Sequence, residues 1–152
     1  MKKDIKIIHI ALFCLSNVTG GAKSHIHCFF EVELLVDQVL ILMRHQIVKV
    51  ACEATWVLTN ALTLCSEDDL KNSLRVYGQN LVHTLCDALS RLHHKEAKLT
   101  LEMLQALSCL LELDTNFSDE FEGENSVAVM VCECEGFAIL ESLQMSDTNQ
   151  EI

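Results

Sequence analysis

Proline is absent from this chain of 152 residues, and glycine occurs only five times. Both residues interrupt helices, proline by losing an N–H and clashing with the preceding turn, glycine by its backbone freedom. Their scarcity argues against a fold of tight turns and short strands and predicts nearly continuous helix. Aromatic side chains make up 5% of the residues and tryptophan appears once, whereas half the residues are apolar. A sizeable aliphatic core is therefore expected, within a length that fits one domain over residues 1–152. The expected fold class is all-α.

Positive charge is scarce as well. Eleven Lys and Arg face 22 Asp and Glu, leaving a formal charge of −11. Such a chain repels phosphate backbones and anionic lipid, which argues against general nucleic-acid or membrane-surface binding and is compatible with a basic partner. Long apolar runs are missing too. The stretch from Leu34 to Met43 contains Asp37 and Gln38 and is too short to span a bilayer. The N-terminal run from Ile5 to Cys14 is broken by Lys6 and His9 and offers a poor cleavage-site pattern. No membrane segment is expected.

Catalytic signatures are also lacking: there is no Gly-rich phosphate loop, no G-x-S-x-G and no H-E-x-x-H. We expect no enzyme and no cofactor. Cys28 beside His25 and His27 is the nearest approach to a thiol–imidazole pair, and helical neighbours produce such pairs by chance. The eight cysteines include no C-x-x-C. His25-Ile26-His27-Cys28 and Cys132-x-Cys134 come closest to metal spacing, and neither has a second half, so no metal site is expected. Cys14, Cys52, Cys86 and Cys109 lie inside amphipathic runs and read as small core hydrophobes. Reduced thiols in cytoplasm or nucleus are expected.

Along the chain, an amphipathic helix is expected over about residues 4–17, ended by Thr19-Gly20-Gly21. Ser24 is expected to cap a short helix through Glu31, followed by helices over about 33–44 and 47–64. Ser66-Glu67-Asp68-Asp69 is a strong helix start, with an N-cap and an acidic first turn. That helix is expected to end at Gly78, with others over about 80–92, 95–113, 126–134 and 137–145. His93-His94 reads as a solvated turn. Residues 114–124 read as an acidic loop, either solvated or an acidic contact for a partner.

The informative stretch is Glu53-Ala54-Thr55-Trp56-Val57-Leu58-Thr59-Asn60. Trp56 and Asn60 are four apart, so on a helix they share one face. An indole walls a cation or an aliphatic stem, and an amide both donates to and accepts from an extended peptide backbone. The alternative is a core tryptophan with a capping or solvent-facing asparagine. The pattern recurs: Ala11-Leu12-Phe13-Cys14-Leu15-Ser16-Asn17 superposes on residues 54–60 at an offset of 43, inside the range of two- and three-helix repeats. Met103-Leu104-Gln105-Ala106-Leu107-Ser108-Cys109 keeps the frame but has Gln105 and Cys109 where the aromatic and the asparagine would be.

E-A-T-W-x-x-[ST]-N, preceded by L-S-N-V-T-G-G, resembles the third helices of the armadillo repeats of importin-α. Cys132-Glu133-Cys134-Glu135-Gly136-Phe137 and the segment from Leu143 to Ile152 resemble that family's final repeat. The resemblance covers nearly the whole chain and corresponds to roughly the last three to four repeats. It implies a right-handed superhelical solenoid, here a partial set of repeats truncated at both ends relative to the family. The first helix would then expose an apolar side where a preceding repeat packs.

The resemblance also implies a function. Basic nuclear-localisation-signal peptides or cargo would bind in a concave groove for nuclear import, in cytoplasm and nucleus. Trp56 would wall lysine or arginine stems, Asn60 and Asn17 would clamp the peptide main chain, and Glu53 would receive a charged head. Phe13 stands in for a tryptophan and Ile10 for a glutamate, so the site is expected to be weakened. The C-terminal repeat resembles the region that meets the nuclear export receptor. Importin-β binding is not expected, because no basic N-terminal segment is present. The rival expectation is a degenerate armadillo scaffold that binds a folded partner without recognising signal peptides.

Overall fold

The computed structural model describes residues 2–115 and 126–148. Most of the expected acidic loop, including Asp119, Glu120, Glu122 and Glu124, and the stretch from Asn149 to Ile152 lie outside the described residues. Within them the protein is all-α, with eight helices and no strand: α1 (Lys2–Thr19), α2 (Lys23–Glu31), α3 (Leu35–Met43), α4 (Val48–Leu64), α5 (Glu67–Leu92), α6 (Ala97–Thr115), α7 (Ser126–Glu133) and α8 (Gly136–Thr148).

The helices pack in two rows. One is α1, α4 and α6, with α4 lying between two helices whose backbones do not come together. The other runs from α2 and α3 through α5 to α7 and α8. The rows meet along α4, which packs against α1, α2, α3, α5 and α6, and also where α6 packs on α5 and α7 and α1 on α2. That position explains its sequence. Val50, Ala51, Ala54, Val57, Leu58, Ala61 and Leu62 are buried, and the alanines let neighbouring helices approach closely. Thr55 and Thr59 are buried too, and their hydroxyls donate back to Ala51 O at 2.8 Å and Thr55 O at 3.0 Å, so no polar atom is stranded.

Two expectations about helix ends are corrected. Gly78 does not end a helix; α5 runs unbroken from Glu67 to Leu92. The apolar stripe Leu70, Leu74, Tyr77, Leu81, Leu85, Leu89 keeps its register across Gly78, and burying it outweighs the ~1 kcal/mol that a mid-helix glycine costs. Gly78 itself is buried, with Met130 of α7 close above it. Ser24 does not cap α2: the N-cap is Ala22, and no side chain bonds there. The chain then enters α3 through Leu34 at φ 63°, a left-handed conformation unusual for a bulky residue.

The expected start at Ser66 holds. Its hydroxyl accepts from Asp69 N at 3.2 Å and donates to Asp69 Oδ2 at 2.7 Å. Asp69 in turn meets His27 Nδ1 of α2 at 2.7 Å, tying the N-terminus of α5 to α2. At the other end of α5, Arg91 reaches the carbonyls of Met43 (3.4 Å), the last residue of α3, and His45 (3.1 Å) just beyond it while pairing with Asp87. It thereby satisfies oxygens that the end of α3 leaves without helical partners.

The His27–Asp69 pair gives a pH-dependent prediction. The Asp69 hydrogen bond and charge hold His27 above its ordinary 6.5. Burial pushes Asp69 upward, but its bonds to His27 and Ser66 together outweigh that and leave it below its ordinary 3.8. The raised imidazole contributes stability fully below pH 6.5 and loses it as pH climbs through its folded pKa. The depressed carboxyl contributes above pH 3.8 and loses it as pH falls through its own. The pair is therefore strongest between those two values. The stability gap between wild type and His27→Gln should be present at pH 5–6 and close as pH rises past the folded pKa of the imidazole. In an NMR titration, Asp69→Asn should return His27 toward its ordinary range; an unmoved imidazole would remove the pair.

The cysteines are only partly as expected. All eight are free thiols, and Cys86 is buried, with burial and the neighbouring Cys134 pushing it up to about 12. Burial likewise pushes Cys65 up to about 12. Cys52 and Cys109 are half-buried, whereas Cys14 is exposed and is no core residue. It lies on the face of α1 turned away from α4, beside Ile7 (63% exposed), Ile10 (59%) and Val18 (43%). The exposed apolar side expected of the first helix is there. No helix among the described residues is long and apolar enough to cross a membrane.

Candidate functional site

Helix α4 is buried on every side but one. Its remaining stripe, Cys52, Glu53, Trp56, Asn60 and Thr63, is half-exposed and recurs at three- and four-residue intervals, as one helix face must. This stripe opens between α1 and α6, so residues of the α1–α4–α6 row border it on both sides. Trp56 packs against the core by one edge and is not fully enclosed.

Three residues of this stripe have partners from the neighbouring helices. Lys98, on the first turn of α6, holds its ammonium 5.4 Å from the centroid of the Trp56 ring. Asn60 Nδ2 donates to the carbonyl of Ser16 at 3.1 Å, 44 residues away near the end of α1. Gly20 lies against the same amide, since a Cβ there would come 3.4 Å from Asn60 Nδ2. Glu53 Oε1 lies 3.3 Å from His9 Nε2 of α1, within ion-pair reach though out of line for a hydrogen bond.

The α1 residues sit on the same side. Phe13 is 55% exposed and lies one helical turn from both His9 and Ser16, the residues that meet Glu53 and Asn60. Asn17 is exposed, and its Nδ2 donates to Phe13 O at 2.8 Å. Its amide is thus tied to its own helix. On α6, Glu102 lies one turn beyond Lys98, with Gln105 and Cys109 further along. Negative charge stands on α4 and just before α6: Glu53 and Glu96 both raise the Cys52 thiol, although burial is the larger cause.

Spacing alone placed Trp56, Asn60 and Glu53 on one face, because helical geometry fixes it. Lys98, His9 and Ser16 were not singled out. A signal for Lys98 existed: it stands seven residues before Gln105, two helical turns from the position that matches Trp56. His9 stands one turn before Phe13 in the same way.

Chemically, the stripe can hold a cation against an indole, bond a main-chain carbonyl through an amide, and neutralise positive charge with a carboxylate. Two other hollows open elsewhere on the surface. One of about 370 Å³, between α5 and α8, is lined by His83, Asp87, Ser90, Cys134, Glu135 and Ser142, and a second of about 530 Å³ by Arg44, Gln46, Asp87 and Arg91. Among the described residues no cluster of His, Cys, Asp and Glu is disposed to hold a metal ion. No protein-family model matches the chain, and no curated protein matches it.

Proposed function

We propose that the protein is an armadillo-type right-handed solenoid, a partial set of importin-α-like repeats, that binds basic, extended peptides of the nuclear-localisation-signal kind across the α1–α4–α6 row. One observation carries the reading. On the most buried helix of the fold, the half-exposed stripe presents Trp56, Asn60 and Glu53 together, and a lysine ammonium already rests near the indole. The two-row packing, in which helices meet only near neighbours, supports the solenoid. The net charge of −11 favours a polycationic ligand.

A lysine stem would lie against Trp56, Asn60 would address the peptide main chain, and Glu53 would face the charged head. Phe13 and Asn17 would offer a second, weaker pair on α1, since phenylalanine holds a cation less well than tryptophan. Cargo transport between cytoplasm and nucleus is the role this binding would serve, and any contact with a nuclear export receptor would involve the C-terminal repeat. The scaffold reading, with a folded partner on the outer surface, draws on the internal engagement of Asn60 and Asn17.

Fluorescence polarisation with a labelled lysine-rich peptide separates the two. Trp56→Ala should weaken binding by about 0.5–2 kcal/mol, the range of a cation–π contact, and Phe13→Trp should strengthen it. Added salt should weaken binding throughout by screening. Equal binding by wild type and a still-helical Trp56→Ala would favour the scaffold.

A further inference from the structure

We propose that the Trp56 site is held by the chain itself, with Lys98 as a tethered competitor that an incoming basic peptide must displace. This rests on the peptide-binding reading above and adds to it a built-in threshold.

The basis is a match of chemistry at three positions. The indole has a lysine ammonium near its ring. The asparagine amide donates to a main-chain carbonyl, that of Ser16. The carboxylate of Glu53 faces an ionisable nitrogen, that of His9. A basic peptide offers the same three kinds of group: a cation, a main-chain carbonyl and a second cation.

Lys98 is the replaceable member of this set. It is exposed, and among the described residues no carboxylate lies within ion-pair distance of its ammonium. It is the second residue of α6, where the helix macrodipole repels positive charge, and Glu96, just before the helix, makes no ion pair with it. The ring of Trp56 is the contact its ammonium makes. Ser16 O and His9, by contrast, belong to the packed α1–α4 contact and cannot leave without shifting helices.

The consequence follows from population arithmetic: a ligand that needs the open form binds more weakly by the fraction of time the site is open. Occupancy by Lys98 at the strength of an exposed cation–π contact lowers apparent affinity by about three- to sixfold. A peptide with a single lysine gains little by the exchange. One with several basic residues exchanges one cation for another and gains the remaining contacts. Lys98 would thus select against weakly basic sequences.

The test uses the same labelled lysine-rich peptide against wild type, Lys98→Ala, Lys95→Ala and the Trp56→Ala/Lys98→Ala pair, each checked for helicity. Lys95 is exposed, stands three residues away and lies close enough to act on Cys52, so its removal controls for net charge. Lys98→Ala should bind about three- to sixfold more tightly than wild type. Lys95→Ala should gain clearly less, and the gain from Lys98→Ala should vanish once Trp56 is alanine. By NMR, the Lys98 ε-protons should be shifted upfield by the indole in wild type and should lose that shift on peptide addition. Equal tightening by Lys95→Ala, or weaker binding by Lys98→Ala, overturns the competitor while peptide binding stands. No binding by wild type or Lys98→Ala removes the peptide reading and the competitor together.

Discussion

Leu58→Ala should lower the free energy of unfolding by about 2–5 kcal/mol, the range for truncating a leucine in a rigid core. Leu58 is fully buried on α4, the helix that packs against α1, α2, α3, α5 and α6. Alanine removes its apolar burial and leaves a void. The surroundings are poorly placed to close it, because α4 is held on both sides of its row and from below. Collapse toward one neighbour opens a gap at another. A site that cannot relax falls toward the costly end of that range. Urea unfolding should show a lower midpoint with an unchanged slope, since the surface exposed on unfolding hardly changes. Leu101, on α6 and 66% exposed, is the control; its alanine variant should stay within about 0.5 kcal/mol of wild type. A Leu58→Ala loss no larger than the control's would mean that α4 is not the centre of the core.

Gly136→Ala is expected to cost about 1–3 kcal/mol through overpacking, although alanine is the better helix former. Gly136 opens α8 directly after Glu135, which carries a φ of 58°. A methyl at position 136 would lie 2.6 Å from Val131 Cγ1, 2.9 Å from Val131 O and 3.1 Å from Cys86 Sγ. The carbonyl is part of α7 and cannot rotate away, so the clash must be relieved by moving α8 relative to α5 and α7. Val131→Ala removes the nearest methyl but not the oxygen. In a double-mutant cycle it should recover part of the loss and report a coupling between the two positions. Neutral or stabilising behaviour of Gly136→Ala would mean that α8 packs less closely on α7 than described.

How far the sequence prefigured these features depended on their range. The N-cap at Ser66 and its acidic turn were legible because a cap is settled within four residues. The shared face of Glu53, Trp56 and Asn60 was legible for the same reason. Gly78 misled because its effect on α5 is decided by what α7 packs above it, and Cys14 because an amphipathic run does not say which face finds a partner. Ser24 misled since a capping residue type is no guarantee that the chain starts its helix there. The partners of the site were least accessible. Lys98, Ser16 and His9 meet their counterparts across 42 to 44 residues of chain, and only the stacking of α1, α4 and α6 brings them there.

The α1–α4–α6 row also acts as a ruler. Because the backbones of α1 and α6 do not come together, the distance from Phe13 to Lys98 is spanned by the backbone of α4. With packed helices about 8–10 Å apart between axes, the row measures about 16–20 Å from first axis to last. A fully extended chain advances about 3.3–3.6 Å per residue, so about five to six residues laid straight across would reach from the phenylalanine wall to the lysine. A shorter segment can touch α4 and one neighbour, but not both. Length, and not only charge, would then decide which sequences engage the whole row.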